Sequence, residues 1–200
     1  MPSIGIIGAG NIGSAIAKSL ARKDIEATMA NSRGPESIQQ FVKLIGPSIS
    51  AGTREEAASK DIVFVAAKWP ALPAALGGLP DWAGRIVIDA NNAVQGPPLK
   101  AFDIGGRRSS AVVAEMVPGA RLVKAFNHLF HMTLADDPES KGGRRVLFLA
   151  GNDNAAKADV KLLMDRMGFF GIDMGDIETG SQSFESPTGP LIVHNLVKYG

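Results

Sequence analysis

The chain contains no cysteine, which excludes disulfides and thiolate metal sites and fits a reducing compartment. It also lacks an excess of charge of either sign: 21 Lys and Arg stand against 20 Asp and Glu, a formal charge of +1. No global field is available to hold a polyanion or an acidic membrane, so neither nucleic acid nor lipid is an expected partner. Long hydrophobic runs are missing too. The apolar start, residues 4–7, is too short for a secretory core and has no basic stretch before it. The uncharged run 69–80 is broken by three prolines and two glycines, so it does not suit a bilayer span. The expected location is the cytoplasm. No G-x-S-x-G turn, internal repeat or low-complexity tract is present. Aromatics are few, at 6%, but 45% apolar and 20% charged residues across 200 positions describe an ordinary globular chain, which excludes disorder, collagen and coiled coil.

Glycine is what the chain has in plenty, 23 residues, well above the usual share of about 7%. Much of it falls in turns beside apolar runs. Strands are predicted over 3–7, 25–30, 49–52, 61–67, 85–90, 121–126, 145–150 and 169–173, and helices over 11–23, 35–45, 109–116 and 154–167. Pro35 suits a first helical turn and Gly46-Pro47 its end, while Thr53 and Glu56 have capping-box spacing for a short helix. The runs DIVFVAA (61–67) and RIVIDA (85–90) are continuous, as strands covered on both faces require. Strands alternating with helices imply an α/β chain with a doubly wound, mainly parallel sheet of Rossmann type and a small C-terminal α/β extension. After Gly175 the pattern fades: 175–189 is expected to be an extended, loop-rich tail, and 190–199 either a strand or a short helix.

Gly8-Ala9-Gly10-Asn11-Ile12-Gly13 follows the first predicted strand and opens the first helix. In such a turn Gly8 makes the tight bend, Gly10 lets a pyrophosphate approach the backbone, and Gly13 lets the helix lie against the strand. The free N–H groups of the helix start then face the anion. A site for NAD usually carries Asp or Glu at the end of the second strand, about 20 residues on, to hold the ribose hydroxyls. Here that stretch reads Thr28-Met29-Ala30-Asn31-Ser32-Arg33-Gly34-Pro35, without a carboxylate. Asn31, Ser32 and Arg33 suit a 2′-phosphate instead, because a guanidinium makes a charge-assisted fork to it. A hydrogen bond to a charged group contributes about 1.5–3 kcal/mol, enough for Arg33 alone to favour NADP over NAD by roughly ten- to a hundredfold. NADP(H) is the expected cofactor.

The reacting end of such a ligand lies beyond the carboxyl ends of the strands. Three loops stand there. Ala67-Lys68-Trp69-Pro70 follows the fourth strand and can wall a nicotinamide with backbone and indole. Asn91-Asn92 follows the fifth, with two amides able to anchor a carboxamide or an acceptor, and Phe126-Asn127-His128 follows the sixth. For each, a purely structural role weighs about as much: packing for Trp69, capping for Asn91-Asn92, a turn for Asn127. His128 and His131 have helical spacing, but no third metal ligand accompanies them and no metal is expected. Arg107-Arg108 and 141–145 are basic but lie beside Gly-Gly pairs and are expected to be solvated turns. No catalytic nucleophile is needed, since a nicotinamide carries its own chemistry and the protein orients the rings.

The segments Gly8 to Gly13, Ala30-Asn31-Ser32-Arg33-Gly34-Pro35, Val123-Lys124-Ala125-Phe126-Asn127, Gly175-Asp176 and Gly189-Pro190-Leu191, in this order, resemble the reductases that pass hydride between NADP(H) and the 8-hydroxy-5-deazaflavin coenzyme F420. The likeness spans nearly the whole chain. It implies that Ser32 and Arg33 bind the 2′-phosphate, that Asn11 and Ile12 bind the pyrophosphate, and that Trp69-Pro70 and Ala125 to Asn127 border the nicotinamide and the deazaflavin. It further implies an NADP-binding domain over 1–126, a smaller portion over 127–200 that completes the acceptor cleft, and a homodimer. The alternatives are an NADPH-dependent flavin or ferric reductase and a non-catalytic module that senses NADP(H).

Overall fold

The structure, a computed structural model, describes every residue except Met1, Pro97, Leu99 and Lys141. Its main strands are β1 (Ile4–Ile7), β2 (Ala27–Ala30), β3 (Ile49–Ala51), β4 (Ile62–Val65), β5 (Ile86–Asp89), β6 (Arg121–Ala125), β7 (Gly143–Gly151), β8 (Phe170–Asp173) and β9 (Val197–Tyr199), with further two-residue strands at Val94–Gln95, Lys100–Ala101 and Glu139–Ser140. The main sheet runs in the order β8-β7-β6-β5-β4-β1-β2-β3. From β3 to β6 all neighbours are parallel. β7 turns antiparallel to β6 and pairs parallel with β8, while β9 lies antiparallel on the first residues of β7. Chain order reverses between β1 and β4, and in an open α/β sheet that reversal opens a crevice at the strands' carboxyl ends. The expected doubly wound sheet is what the chain forms.

The continuous apolar runs follow from helices on both faces. Alternate residues point to opposite sides: Ile6, Ile62, Phe64 and Ile88 pack on one face with Ile16 and Leu20 of α1 (Asn11–Ala21) and Val160 of the helix Asn154–Arg166. Val63, Val65 and Val87 pack on the other with Trp82, Leu72 of the short helix Leu72–Leu76 and Val113 of the helix Ser109–Met116. The helix Arg54–Ala58 starts on the predicted capping box: Glu56 N–H donates to Thr53 Oγ1 at 3.1 Å and Thr53 N–H to Glu56 Oε2 at 2.7 Å.

Three expectations change. The helix predicted over 35–45 is a 3₁₀ turn, Pro35–Ile38, followed by α-helix from Gln39 to Ile45. The tail after Gly175 is less irregular than its composition indicates. Asp176 accepts from Thr179 N–H at 2.8 Å and caps a short helix, Ile177–Gly180, and the chain closes on β9 as a strand. Of the basic stretch 141–145, Lys141 lies outside the described residues and Gly142 is an exposed turn as expected, but Gly143 to Arg145 are strand. Arg145 is in β7, 3% exposed, with Nε on Asn195 Oδ1 at 2.8 Å and Nη1 on the carbonyls of Thr133 and Asp137 at 2.8 and 3.0 Å. A guanidinium is buried when oxygens meet its donors, and here the C-terminal segment supplies one of them. Arg107 is at the surface, paired with Glu115. Among the described residues no helix is long and apolar enough to cross a membrane.

Candidate functional site

The crevice begins at the glycine turn. Gly8 has φ +120°, its N–H donates to Ala30 O at 2.9 Å, and a Cβ placed on it would lie 2.4 Å from Ala66 O. A Cβ on Gly13 would meet Gly8 O at 1.8 Å, so α1 lies directly on the turn. Gly10 differs from both. It is exposed, and a Cβ there would meet nothing within 4 Å. No side chain caps α1, whose first turn carries no carboxylate, so an anion is favoured there by both open N–H groups and helix dipole. Asn11 is exposed and Ile12 half-buried at that end.

At the end of β2, Asn31 folds the turn rather than facing outward. Its Oδ1 accepts from Arg33 N–H at 2.9 Å and its Nδ2 donates to Ser37 Oγ at 2.8 Å. This leaves Ser32 and Arg33 exposed, with no side-chain partner for either among the described residues. A guanidinium held at a rigid turn with its donors open is a seat for a phosphate.

The loop after β4 behaves differently from its sequence reading. Lys68 and Pro70 are exposed and Ala67 is half-buried, but Trp69 is 7% exposed and belongs to the second core. The indole packs under the sheet rather than standing as an open wall, so what this loop offers the crevice is the backbone around Ala67 and Lys68. Asn91 is also turned inward, 5% exposed, with Nδ2 on Val65 O at 3.0 Å and on Asp89 Oδ1 at 2.9 Å. Its Nδ2 ties β4 to β5, so both amide hydrogens are already spent. Ala125 and Phe126 do not border a cleft either: both are fully buried, and the Phe126 ring meets Phe64 edge-on at 5.1 Å. Phe126 has φ +63°, a strained conformation for a bulky residue, and that bend turns the chain out of β6 at Asn127.

Asn127 pairs with Asn92. Asn127 Nδ2 donates to Asn92 Oδ1 at 3.0 Å and to Phe184 O at 2.9 Å, while Asn92 Nδ2 donates to Asn127 O at 2.8 Å. The remaining acceptor, Asn127 Oδ1, is buried without a partner among the described residues. An orphaned acceptor at this place is what the N–H₂ of a carboxamide would satisfy. His128 beside it is 1% exposed and 4.8 Å from the Phe148 ring, and neither ring nitrogen has a partner among the described residues. Burial pushes its pKa down to about 4. Among the described residues no group of three His, Cys, Asp or Glu side chains gathers to hold a metal.

Beneath these strand ends lies a buried ionic group that the motifs did not single out. Lys124 Nζ donates to Asp89 Oδ2 at 3.0 Å, to Ser109 Oγ at 2.9 Å and to Asn91 O. Ser109 Oγ donates to Glu185 Oε1 at 2.9 Å and Ser110 Oγ to Asp89 Oδ2 at 2.8 Å. The signal was present in the sequence, since a Lys and an Asp inside runs covered on both faces must find partners.

Residues 3–93 match the model of a protein family described as NADP oxidoreductase, coenzyme F420-dependent. A hypothetical protein of Sinorhizobium meliloti is 40% identical, with a TM-score of 0.94 over 99% of this chain and 96% of its own. A structure from Arthrobacter sp. FB24, described as that of a candidate F420-dependent NADP-reductase, is 26% identical, with a TM-score of 0.76 over 88% of this chain and 86% of its own. Rat metalloreductase STEAP3 is 27% identical over 184 residues, 90% of this chain; the chain spans 35% of that curated relative's length.

Proposed function

We propose that this chain, whose residues 3–93 match the family of coenzyme F420-dependent NADP oxidoreductases, passes hydride between NADP(H) and a planar acceptor of the deazaflavin type. The observation that carries the reading is the pair of open features at the ends of β1 and β2. Gly10 leaves room at an uncapped helix start, and Arg33 stands exposed on a turn that Asn31 holds rigid. A dinucleotide diphosphate fits the first and a 2′-phosphate the second. Asn127 Oδ1 lacks the donor that the nicotinamide carboxamide would supply. The residues present therefore fit the cofactor. Ser32 and Arg33 would hold its 2′-phosphate, Asn11 and Ile12 its diphosphate, and Asn127 its carboxamide.

When bound, the cofactor supplies the hydride chemistry itself. The chain's part is to fix the ring against the acceptor and to keep the crevice floor rigid, and positioning of this kind accounts for much of the acceleration in such transfers. The test is consumption of NADPH, followed spectrophotometrically, with 8-hydroxy-5-deazaflavin, riboflavin and FMN in parallel. The expected outcome is fast turnover with the deazaflavin. The likeness to a metalloreductase favours one second reading, a flavin-linked reductase; turnover with riboflavin or FMN alone would select it. NADPH binding without reduction of any acceptor would remove the enzyme reading and leave a nucleotide-binding module.

A further inference from the structure

The charged group under the strand ends has no role in the reading so far. Asp89 and Lys124 face each other in register across β5 and β6, both fully buried, and Glu185 Oε1 lies 3.8 Å from the same Nζ. One cation stands against two carboxylates, a formal charge of minus one. For stability alone this is a poor use of the interior, because replacing a buried ionic cluster by apolar residues of equal volume is often neutral or stabilising. Its place in the fold is more informative. Phe184, one residue before Glu185, accepts from Asn127 Nδ2, and Ser186, one residue after, donates its N–H to Asn92 Oδ1 at 3.0 Å. The negative charge is thus built into the floor that carries the open acceptor of Asn127. Lys68, the cation on the neighbouring loop, is exposed and screened by water.

A nicotinamide ring is a cation in NADP⁺ and neutral in NADPH. We propose that the Lys124–Asp89–Glu185 cluster is an electrostatic determinant that makes this site hold the oxidised ring in preference to the reduced one. The inference rests on the dinucleotide reading and deepens it. Buried charges act on a neighbouring ring with little screening, whereas surface charges at the same separation do not.

The test is a pair of affinities measured on the full chain: NADPH by its fluorescence on titration, and NADP⁺ by competition. The quantity of interest is the ratio of the NADP⁺ Kd to the NADPH Kd. Glu185→Gln keeps the side chain's shape and removes one negative charge, so the ratio is expected to rise about fivefold, the scale of one unit charge acting over several ångströms. Lys124→Gln leaves two carboxylates unopposed, and the ratio is expected to fall. Glu185→Asp retains the charge while disturbing the geometry, and should keep the wild-type ratio. Lost packing alone does not shift the ratio in opposite directions in the two charge variants. If one variant does not fold, the other still carries a definite sign. The proposal is overturned if the ratio stays within about twofold of wild type in the charge variants that fold, or moves in the same direction in both. If the wild-type chain binds neither nucleotide, the dinucleotide reading itself is what fails.

Discussion

Replacing Gly13 with alanine is expected to cost at least about 2 kcal/mol of stability and most of the NADPH affinity, whereas the same change at Gly10 is expected to leave stability intact and still weaken NADPH. The geometry sets the two apart. At Gly13 the new Cβ lies 1.8 Å from Gly8 O and 2.9 Å from Gly8 C, both backbone atoms, so relief requires α1 to move off the turn. Overpacking of this sort costs about 1–3 kcal/mol or more, which outweighs the gain of roughly 1 kcal/mol from a better helix former. Gly10 has φ −81° and ψ −167°, which any residue adopts, and open space where the Cβ would go. Alanine there should be neutral, or stabilising by about 0.4–1 kcal/mol through the unfolded chain. Nothing in the protein alone requires a glycine at that position. If a diphosphate approaches its backbone, the added methyl should raise the NADPH Kd by about tenfold or more, the loss expected from one charge-assisted contact. Denaturant unfolding and fluorescence titration of both variants check this; a Gly10→Ala protein that binds NADPH as wild type does would place the diphosphate elsewhere.

Acid should destabilise the protein in a window that belongs to His128. The folded state holds this imidazole neutral, with its pKa lowered by burial from 6.5 to about 4, while the unfolded chain takes up a proton near pH 6.5. Between those values the unfolded state binds more protons, so stability is complete above pH 6.5 and is lost as the pH falls towards 4. The shift corresponds to a loss of about 2–3 kcal/mol by pH 4.5. Asp61, held down by hydrogen bonds from the Ser3 N–H and hydroxyl, and Asp176, held down by those of Thr179, have the same sign, but each acts below the ordinary carboxylate pKa of 3.8. His128→Phe keeps a ring against Phe148 and Phe184 and removes the titration. Unfolding measured at pH 7.5, 6.0 and 4.5 should show the loss in the wild type and a nearly flat profile in the variant. An equal slope in both would mean that another group is responsible.

The fold was legible because its signals are local and repeated: apolar runs at 61–67 and 85–90, a glycine turn between the first strand and helix, and a capping box at Thr53. The donor side of the site was legible for the same reason, since Gly8, Gly10, Gly13 and the Asn31–Arg33 turn lie within or beside the elements that place them. The other half was not. Whether Trp69 faces a crevice or a core depends on which side of the sheet its 3₁₀ turn packs against, and spacing does not encode that. Asn91 and Asn92 are adjacent and chemically identical, yet the first is spent on Val65 and Asp89 and the second pairs with Asn127, 35 positions on. Glu185 reaches Ser109 across 76 positions, a contact that no window along the chain contains. Helix Ile177–Gly180 was missed for a simpler reason, in that a four-residue helix has too little periodicity to register beside its Asp176 cap.

The account depends most on Arg33 meeting a 2′-phosphate, and the most direct test is the affinity of wild type and Arg33→Ala for NADPH and NADH, measured by fluorescence titration at one fixed salt concentration. The prediction is that wild type prefers NADPH by roughly ten- to a hundredfold, and that Arg33→Ala weakens NADPH by about tenfold or more while leaving NADH unchanged. A wild-type protein that binds the two equally, or a variant in which both weaken together, would contradict it.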